Sequence, residues 1–560
     1  MERISILHPL GSNPGYKQLT EETMHDLSLD TICEFLSHLD SEKAIIRRIM
    51  MHLTGDPETI RYRLDVFEDI LNNKPIRDEM QKLLDKVEFL KIYSSFGKDS
   101  DSSGIWQLIH RLDELNEYIN AVEAMGKCLD RDSIKSQGLT DLRKFVKSIY
   151  EDNGYEALKK DIKALKMEAA DIQSVTLGIN LNDRLEPIEI GIASVNKKPF
   201  TESKILHNIS DLVLTKDQLN EKGDWNGSYD FRKSKGGPAG TDGLKGDLVK
   251  YSVFPGLVAA PSDSKGEDIM RALDRAATAL LNETCKKLRE MLSRHVSINI
   301  SIITDLIPEF LYYVRWAEFV EKMTAQGHKL CKPVVLESDA RSMKTSGIYN
   351  LKLISKENSE TIVGNDLDFS KEHRIYILTG ANRGGKTTIT QAVGIAFLMA
   401  QGGVFVPADS FEFAPADNIF THFPADENKT MDLGRLGEES KRFKDIFKDA
   451  SKYSLLLLNE SFSTTSFEEG YFIARDVTKA MAKKGCRVIF NTHMHKLAMD
   501  YPQMNAEGDG ESLIESLVVE SEGGNRSFKV SVRQPEGLSY AMDIAKKYGV
   551  TYDQLFDGRE

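Results

Sequence analysis

The sequence predicts a multidomain protein in which an α-helical region, interrupted by an insertion with mixed β content, is followed by an α/β domain. Three observations carry this. Apolar residues recur at helical spacing over roughly the first 170 positions. The period changes between about 173 and 265, where short alternating runs and a glycine-rich stretch appear. From about 347 onward apolar strand-like runs alternate with helical ones, the pattern of a mostly parallel sheet covered by helices. At 560 residues the chain exceeds one compact core, and length alone predicts roughly three or four domain-sized units. The expected boundaries are 1–172 for the helical region, 173–265 for the insertion, 266–346 for its helical return and 347–560 for the α/β domain.

In chain order, the clearest helix start is Gly55-Asp56-Pro57-Glu58: Asp56 suits the N-cap and Pro57 the first helical position, with Ile60, Leu64, Phe67 and Leu71 following at three- to four-residue spacing. Ile105, Leu108, Ile109, Leu112, Leu115, Ile119 and Val122 form a second stripe, that of a long helix packed along one face. In the insertion, Val175 to Ile179 and Ile188 to Ile192 read as strands, and the glycine-rich run at 222–246 reads as a loop. Helical spacing resumes at Ile269, Leu273, Ala276, Leu280 and Leu288. In the α/β region, Arg374 to Thr379, Ser454 to Leu458 and Cys486 to Phe490 are strand candidates, and Thr388 to Ala400 is a helix candidate.

Composition narrows the function classes. Five widely scattered cysteines without a CxxC pair argue against a disulfide framework and a structural zinc site, which suits a reducing cytoplasm. No run approaches the roughly 18 to 20 apolar residues of a bilayer span, so no membrane partner is expected. A formal charge of −13 means that any grip on nucleic acid must come from a local basic surface.

The central signal is Gly380-Ala381-Asn382-Arg383-Gly384-Gly385-Lys386-Thr387, a full match to the GxxxxGK[ST] phosphate loop between a strand and a helix candidate. Glycines at 380, 384 and 385 let backbone N–H groups turn toward phosphates, and the helix N-terminus at Lys386, Thr387 and Thr388 adds its dipole. Lys386 adds a point charge, and Thr387 is the expected Mg2+ ligand for a bound ATP. Asn459-Glu460 closes a strand candidate, which makes Glu460 the candidate general base. His493, at the end of the next strand, is the candidate γ-phosphate sensor. His493-Met494-His495 has metal-site spacing but no further ligand nearby, so the nucleotide role is preferred.

These elements, in this order and spacing, resemble the MutS family of ATPases, relatives of the ABC transporter nucleotide-binding domains. The likeness runs from Asn365-Asp366-Leu367 through the phosphate loop to Val404-Phe405-Val406-Pro407-Ala408, Gly434-Arg435, Thr465-Ser466, Gly470 and Thr492-His493, with a last echo at Gly537-Leu538-Ser539-Tyr540. The helical part resembles the family more loosely, through Asp56-Pro57-Glu58 to Leu71.

The resemblance implies an ABC-type P-loop ATPase domain, a helical core and lever, a clamp-like insertion, homodimerisation and action on DNA. It also implies roles for further residues: Asn382 near the γ-phosphate, and Ile362 and Val363 at the adenine, where aliphatic side chains would give apolar contact in place of stacking. Two departures are visible. The family's magnesium-side aspartate is Asn459, which keeps an oxygen but loses a charge. The signature serine that reaches a partner's γ-phosphate falls on Gly434, beside Glu438 and Glu439. Slow hydrolysis is the expectation.

The family's N-terminal mismatch-reading and connector domains have no counterpart before the helical region, so direct mismatch reading is not expected. In the insertion, basic residues are nearly offset by acidic ones. Its best mixture of aromatic and basic residues is Tyr229, Phe231, Arg232, Lys233 and Lys235, which a solvated loop explains equally well. An alternative of another class stays open: a nucleotide-dependent binding module for RNA, a ribosome or a protein partner, with little ATP hydrolysis.

Overall fold

The computed structural model describes residues 4–87, 105–169, 174–181, 183–184, 187–196, 226–230, 278, 282–295, 301–355, 362–381, 383–424, 434–522, 525–535 and 548–556. Two compact units emerge from the chain path: Met1–Leu84, Met125–Phe145 and Thr304–Glu560 form one, and Asp85–Ala124 with Val146–Ile303 form the other.

The second unit contains most of helix Ile105–Leu129, the end of helix Gln137–Glu151, and helices Asn153–Ala169 and Asn282–Ser293, with an antiparallel sheet of strands Ser174–Leu181, Pro187–Asn196 and Asn226–Asp230. The helical stripe and both strand candidates of the insertion therefore fold as their spacing predicts. The glycine-rich run at 222–246, expected to be a loop, contributes instead the strand Asn226–Asp230, because its backbone pairs with Pro187–Asn196; the rest of the run lies outside the described residues, as do the echo at 537–540 and all but one of the positions 269–280.

In the first unit, helix α1 (Pro57–Asn72) starts where the sequence places it. The Asp56 carboxylate accepts from the Thr59 amide at 2.9 Å, Pro57 opens the helix, and Ile60, Leu64 and Phe67 are buried. Its Arg63 donates to the Gln401 carbonyl at 3.0 Å and to the Leu7 carbonyl at 2.7 Å, which fastens it to the end of helix α2 (Lys386–Gln401). Gly403 follows that helix with φ +80°, and a Cβ there would lie 2.1 Å from the Arg63 Cβ. Only glycine permits this approach.

The α/β part is built on a six-stranded sheet. In chain order its strands are β1 (His373–Thr379), β2 (Ile419–His422), β3 (Leu455–Asn459), β4 (Arg487–Asn491), β5 (Leu513–Glu522) and β6 (Asn525–Val532). Their order across the sheet is β2-β3-β4-β1-β5-β6, all parallel except β6, which returns antiparallel to β5. Both β3 and β4 are buried at every residue, because helices cover both faces. Helix α2, with thirteen buried residues, and helix α4 (Phe467–Lys484) supply that cover, while α3 (Arg435–Asp449) packs Phe443 into the same core. A second sheet, which the periodicity does not announce, joins Val334–Val335, Ser410–Phe413, Met343–Ile348 and Asn365–Phe369 in that order.

Candidate nucleotide site

Sheet register assembles the site. Asn459 at the end of β3 pairs with Asn491 at the end of β4, and Asn491 pairs with Leu378 in β1. Three loops therefore leave one sheet edge side by side, as parallel sheets require at their carboxyl ends.

The first of these loops turns on glycines: Gly380 has φ +140° and Gly385 φ +94°. A Cβ on Gly384 would sit 2.8 Å from the Ala381 carbonyl oxygen, and one on Gly380 2.8 Å from the Val519 Cβ. Only bare backbone fits, which a cradle of N–H groups needs. Lys386 is buried, its Nζ donating to the Gly380 carbonyl at 3.1 Å and the Ala381 carbonyl at 3.4 Å. Burial pushes its ammonium below the ordinary value, and the negative charge of Glu460 works the other way.

At the second loop, the Thr387 hydroxyl donates to Asn459 Oδ1 at 2.9 Å. The Asn491 amide donates to that same oxygen and, at 3.3 Å, to Thr387 Oγ1. Glu460 follows with φ +52°, its amide donating to the Asn491 carbonyl at 2.8 Å. Its carboxylate meets His493: Nε2 stands 2.9 Å from Glu460 Oε1, while Oε2 is buried without a hydrogen-bond partner among the described residues.

The turn after Glu460 is fastened from α3. Phe462 has φ +63°, its amide donates to Glu439 Oε2 at 3.1 Å, and the Thr464 hydroxyl donates to the same oxygen at 3.3 Å. Burial raises the Glu439 carboxyl above its ordinary value. His422, at the end of β2, bridges the two segments. Its Nε2 stands 3.1 Å from the Glu439 carbonyl, which can only accept, so Nε2 carries the proton and Nδ1 accepts from the Ser461 hydroxyl at 2.6 Å. Burial first, and the charge of Arg442 second, push this imidazole down to about 3.

Gly384, Gly385, Lys386, Thr387, Thr388, Glu460, His493 and Val363 line a single pocket of about 550 Å3. Gly380 begins its loop and Asn459 reaches it through Thr387. Ile362 is half-buried but does not line it. Gly434 stands apart, exposed at the N-cap of α3 with φ +71° and ψ 158°. Asn382 lies outside the described residues.

Arg383 of the phosphate loop and Asn365 also line the pocket, as do Asn350 and Phe528, which carry no sequence signal of their own. Asn350 Nδ2 donates to the Thr388 carbonyl at 3.0 Å, and a Cβ on Gly385 would touch the Phe528 ring at 3.5 Å. Asn491 had a visible cue, since it immediately precedes Thr492-His493, but its side-chain role appears only with the register of β3 and β4.

The residues present fit a nucleoside triphosphate with a divalent cation. Glycines that a Cβ would obstruct, an ammonium held by loop carbonyls and an unpartnered carboxylate oxygen all border the same space.

Comparison with known proteins bears on the same segments. The family model for MutS domain V matches residues 376–552, and that for the MutS2 N-terminal domain matches residues 55–326. A DNA mismatch repair protein MutS of Chlorobium phaeobacteroides is 29% identical over 237 residues, 42% of this chain and 27% of the relative. An endonuclease MutS2 of Caldicellulosiruptor saccharolyticus is 32% identical over 185 residues, 32% of this chain and 22% of the relative. An endonuclease MutS2 of Bacillus velezensis is 24% identical over 522 residues, covering 86% of this chain and 60% of the relative. The chain thus spans between about a fifth and three fifths of the length of these relatives.

Proposed function

Because the chain belongs to the MutS family, we propose that it is an ATP-hydrolysing switch that acts on DNA as a homodimer in the cytoplasm. The observation that carries this reading is the pairing of Glu460 with His493 at 2.9 Å on the wall of the pocket that also holds Lys386 and Thr387.

Each residue then has a task. Backbone N–H groups of the glycine-rich loop bind the phosphates together with the Lys386 ammonium, and Asn382 is assigned to the neighbourhood of the γ-phosphate. Val363, with Ile362 beside it in the chain, gives the adenine an apolar seat. Glu460 accepts a proton from the attacking water, and His493 orients that carboxylate and senses the γ-phosphate. Thr387 and Asn459 would hold Mg2+, which when bound neutralises charge on the phosphate oxygens.

Turnover is slow for two reasons. Asn459 brings no negative charge to the cation, and Gly434 brings no hydroxyl to the nucleotide of a second copy. The backbone of Gly434, at φ +71° and ψ 158°, is one that serine rarely adopts, so this departure is built into the main chain. Binding of ATP between two copies favours the closed arrangement, in which the clamp-like insertion holds a DNA duplex, and hydrolysis releases it.

The proposed domain limits, 1–172, 173–265, 266–346 and 347–560, assign the helical core and lever, the clamp-like insertion, the helical return and the ATPase. Asn459 and Gly434 also support a second reading, in which the chain grips RNA, a ribosome or a protein according to nucleotide state and barely hydrolyses ATP. Binding to duplex DNA, duplex RNA and ribosomes, titrated with salt in the presence and absence of ATP, separates the two. ATP-dependent retention on DNA supports the first reading, and no DNA affinity at low salt in any nucleotide state overturns it.

A further inference from the structure

The pair of amides at the ends of β3 and β4 has a property that a carboxylate would not have. The oxygen of Asn459 accepts twice, from the Thr387 hydroxyl at 2.9 Å and from the Asn491 amide, while Asn491 Oδ1 is fully enclosed and has no hydrogen-bond partner among the described residues. In this arrangement the Thr387 hydroxyl donates to Asn459 and its oxygen accepts from the Asn491 amide at 3.3 Å, so one lone pair is left for a cation.

Rotating both amides by a half turn is unfavourable, because it carries the Asn491 NH2 into the enclosed position now held by Oδ1, which has no hydrogen-bond partner among the described residues. Rotating Asn459 alone would set its NH2 on Thr387 Oγ1, which would then accept from both amides and keep no lone pair for a cation. That rotation is unfavourable, because the Asn459 NH2 would face the NH2 of Asn491. Asn491 therefore decides which end of Asn459 meets Thr387.

We propose that Asn491 is a positioning residue for the divalent cation: it holds the Asn459 carbonyl toward the Thr387 hydroxyl and so keeps Thr387 competent to ligate Mg2+. The inference rests on the nucleotide-binding reading given above. Asn491 does not itself touch the cation. A carboxylate at 459 would not need this help, since both of its ends are acceptors.

The test is equilibrium binding of labelled ATP to the full chain at a series of Mg2+ concentrations and in EDTA, with no turnover measured. Asn491→Ala is expected to raise the Mg2+ concentration for half-maximal ATP retention by about five-fold, the effect of one neutral hydrogen bond, and to leave affinity in EDTA unchanged. In an Asn459→Asp background, which itself lowers the Mg2+ requirement, the same alanine change is expected to shift it by less than about two-fold.

Equal losses in both backgrounds would show that Asn491 acts through general packing, and no loss in the otherwise wild-type chain would remove its role; either overturns the proposal while leaving the nucleotide site standing. Wild-type ATP retention that is indifferent to Mg2+ overturns it together with the reading it rests on. Asn491→Ser, whose shorter side chain leaves the same gap, carries the measurement if the alanine variant does not fold.

Discussion

Glu460 is held in a left-handed conformation by three contacts: its amide on the Asn491 carbonyl, one carboxylate oxygen on His493, and the turn behind it on Glu439. This placement is the basis for the proposal that Glu460 is the general base. Glu460→Gln keeps the shape and removes the base, so ATP turnover should fall by about a hundred-fold or more while ATP binding persists; a loss under three-fold would exclude Glu460 as the base.

His422 belongs to the same support and gives it a pH dependence. Its folded value of about 3 lies below the ordinary 6.5, so between those limits the unfolded chain takes up a proton that the folded chain refuses. Its contribution to stability is complete above about pH 6.5 and is lost as pH falls, at up to about 1.4 kcal/mol per pH unit. Urea midpoints between pH 7 and pH 4.5 should therefore fall less steeply for His422→Gln than for the wild type. Identical slopes would mean that the imidazole titrates normally in place.

Among the elements, strand β1, the phosphate loop and helix α2 were the most legible in the sequence. Ile375 to Leu378 is a short apolar run, the glycines stand at fixed offsets, and Lys386–Gln401 is apolar on nearly every face. Glu460 and His493 were legible for the same reason, because each ends an apolar strand. The second sheet was not: Val334–Val335 is two residues long, and Ser410–Phe413 pairs with strands some seventy positions away, so no local period records it. Phe528 reaches the pocket only because β6 folds back along β5, and Asn350 only because its amide meets the end of the phosphate loop.

The contact of α1 with the end of α2 is a similar long-range feature, and it concentrates on Gly403. Gly403→Ala should cost about 2 to 4 kcal/mol, since it combines an unfavourable φ with a collision against Arg63. Thermal unfolding measures this, and an unchanged midpoint would show that the contact yields.

In the whole molecule, the nucleotide site is proposed to set the state of a dimer, so that pocket residues control assembly. Sizing or crosslinking of the wild type should show a tighter dimer with ATP, and Lys386→Ala, lacking the buried ammonium, should show no such response. A dimer equally tight in both proteins under all conditions would separate assembly from nucleotide. A formal charge of −13 confines any DNA contact to local basic surface, so DNA affinity should fall steeply with salt. Beneath these expectations lies one claim, that ATP and Mg2+ bind together on the loop from Gly380 to Thr388. Retention of labelled ATP by the wild type and by Lys386→Ala, each with Mg2+ and with EDTA, tests it most directly. The wild type should bind ATP tightly only with Mg2+ and the variant at least about ten-fold more weakly; equal retention in all four conditions would contradict it.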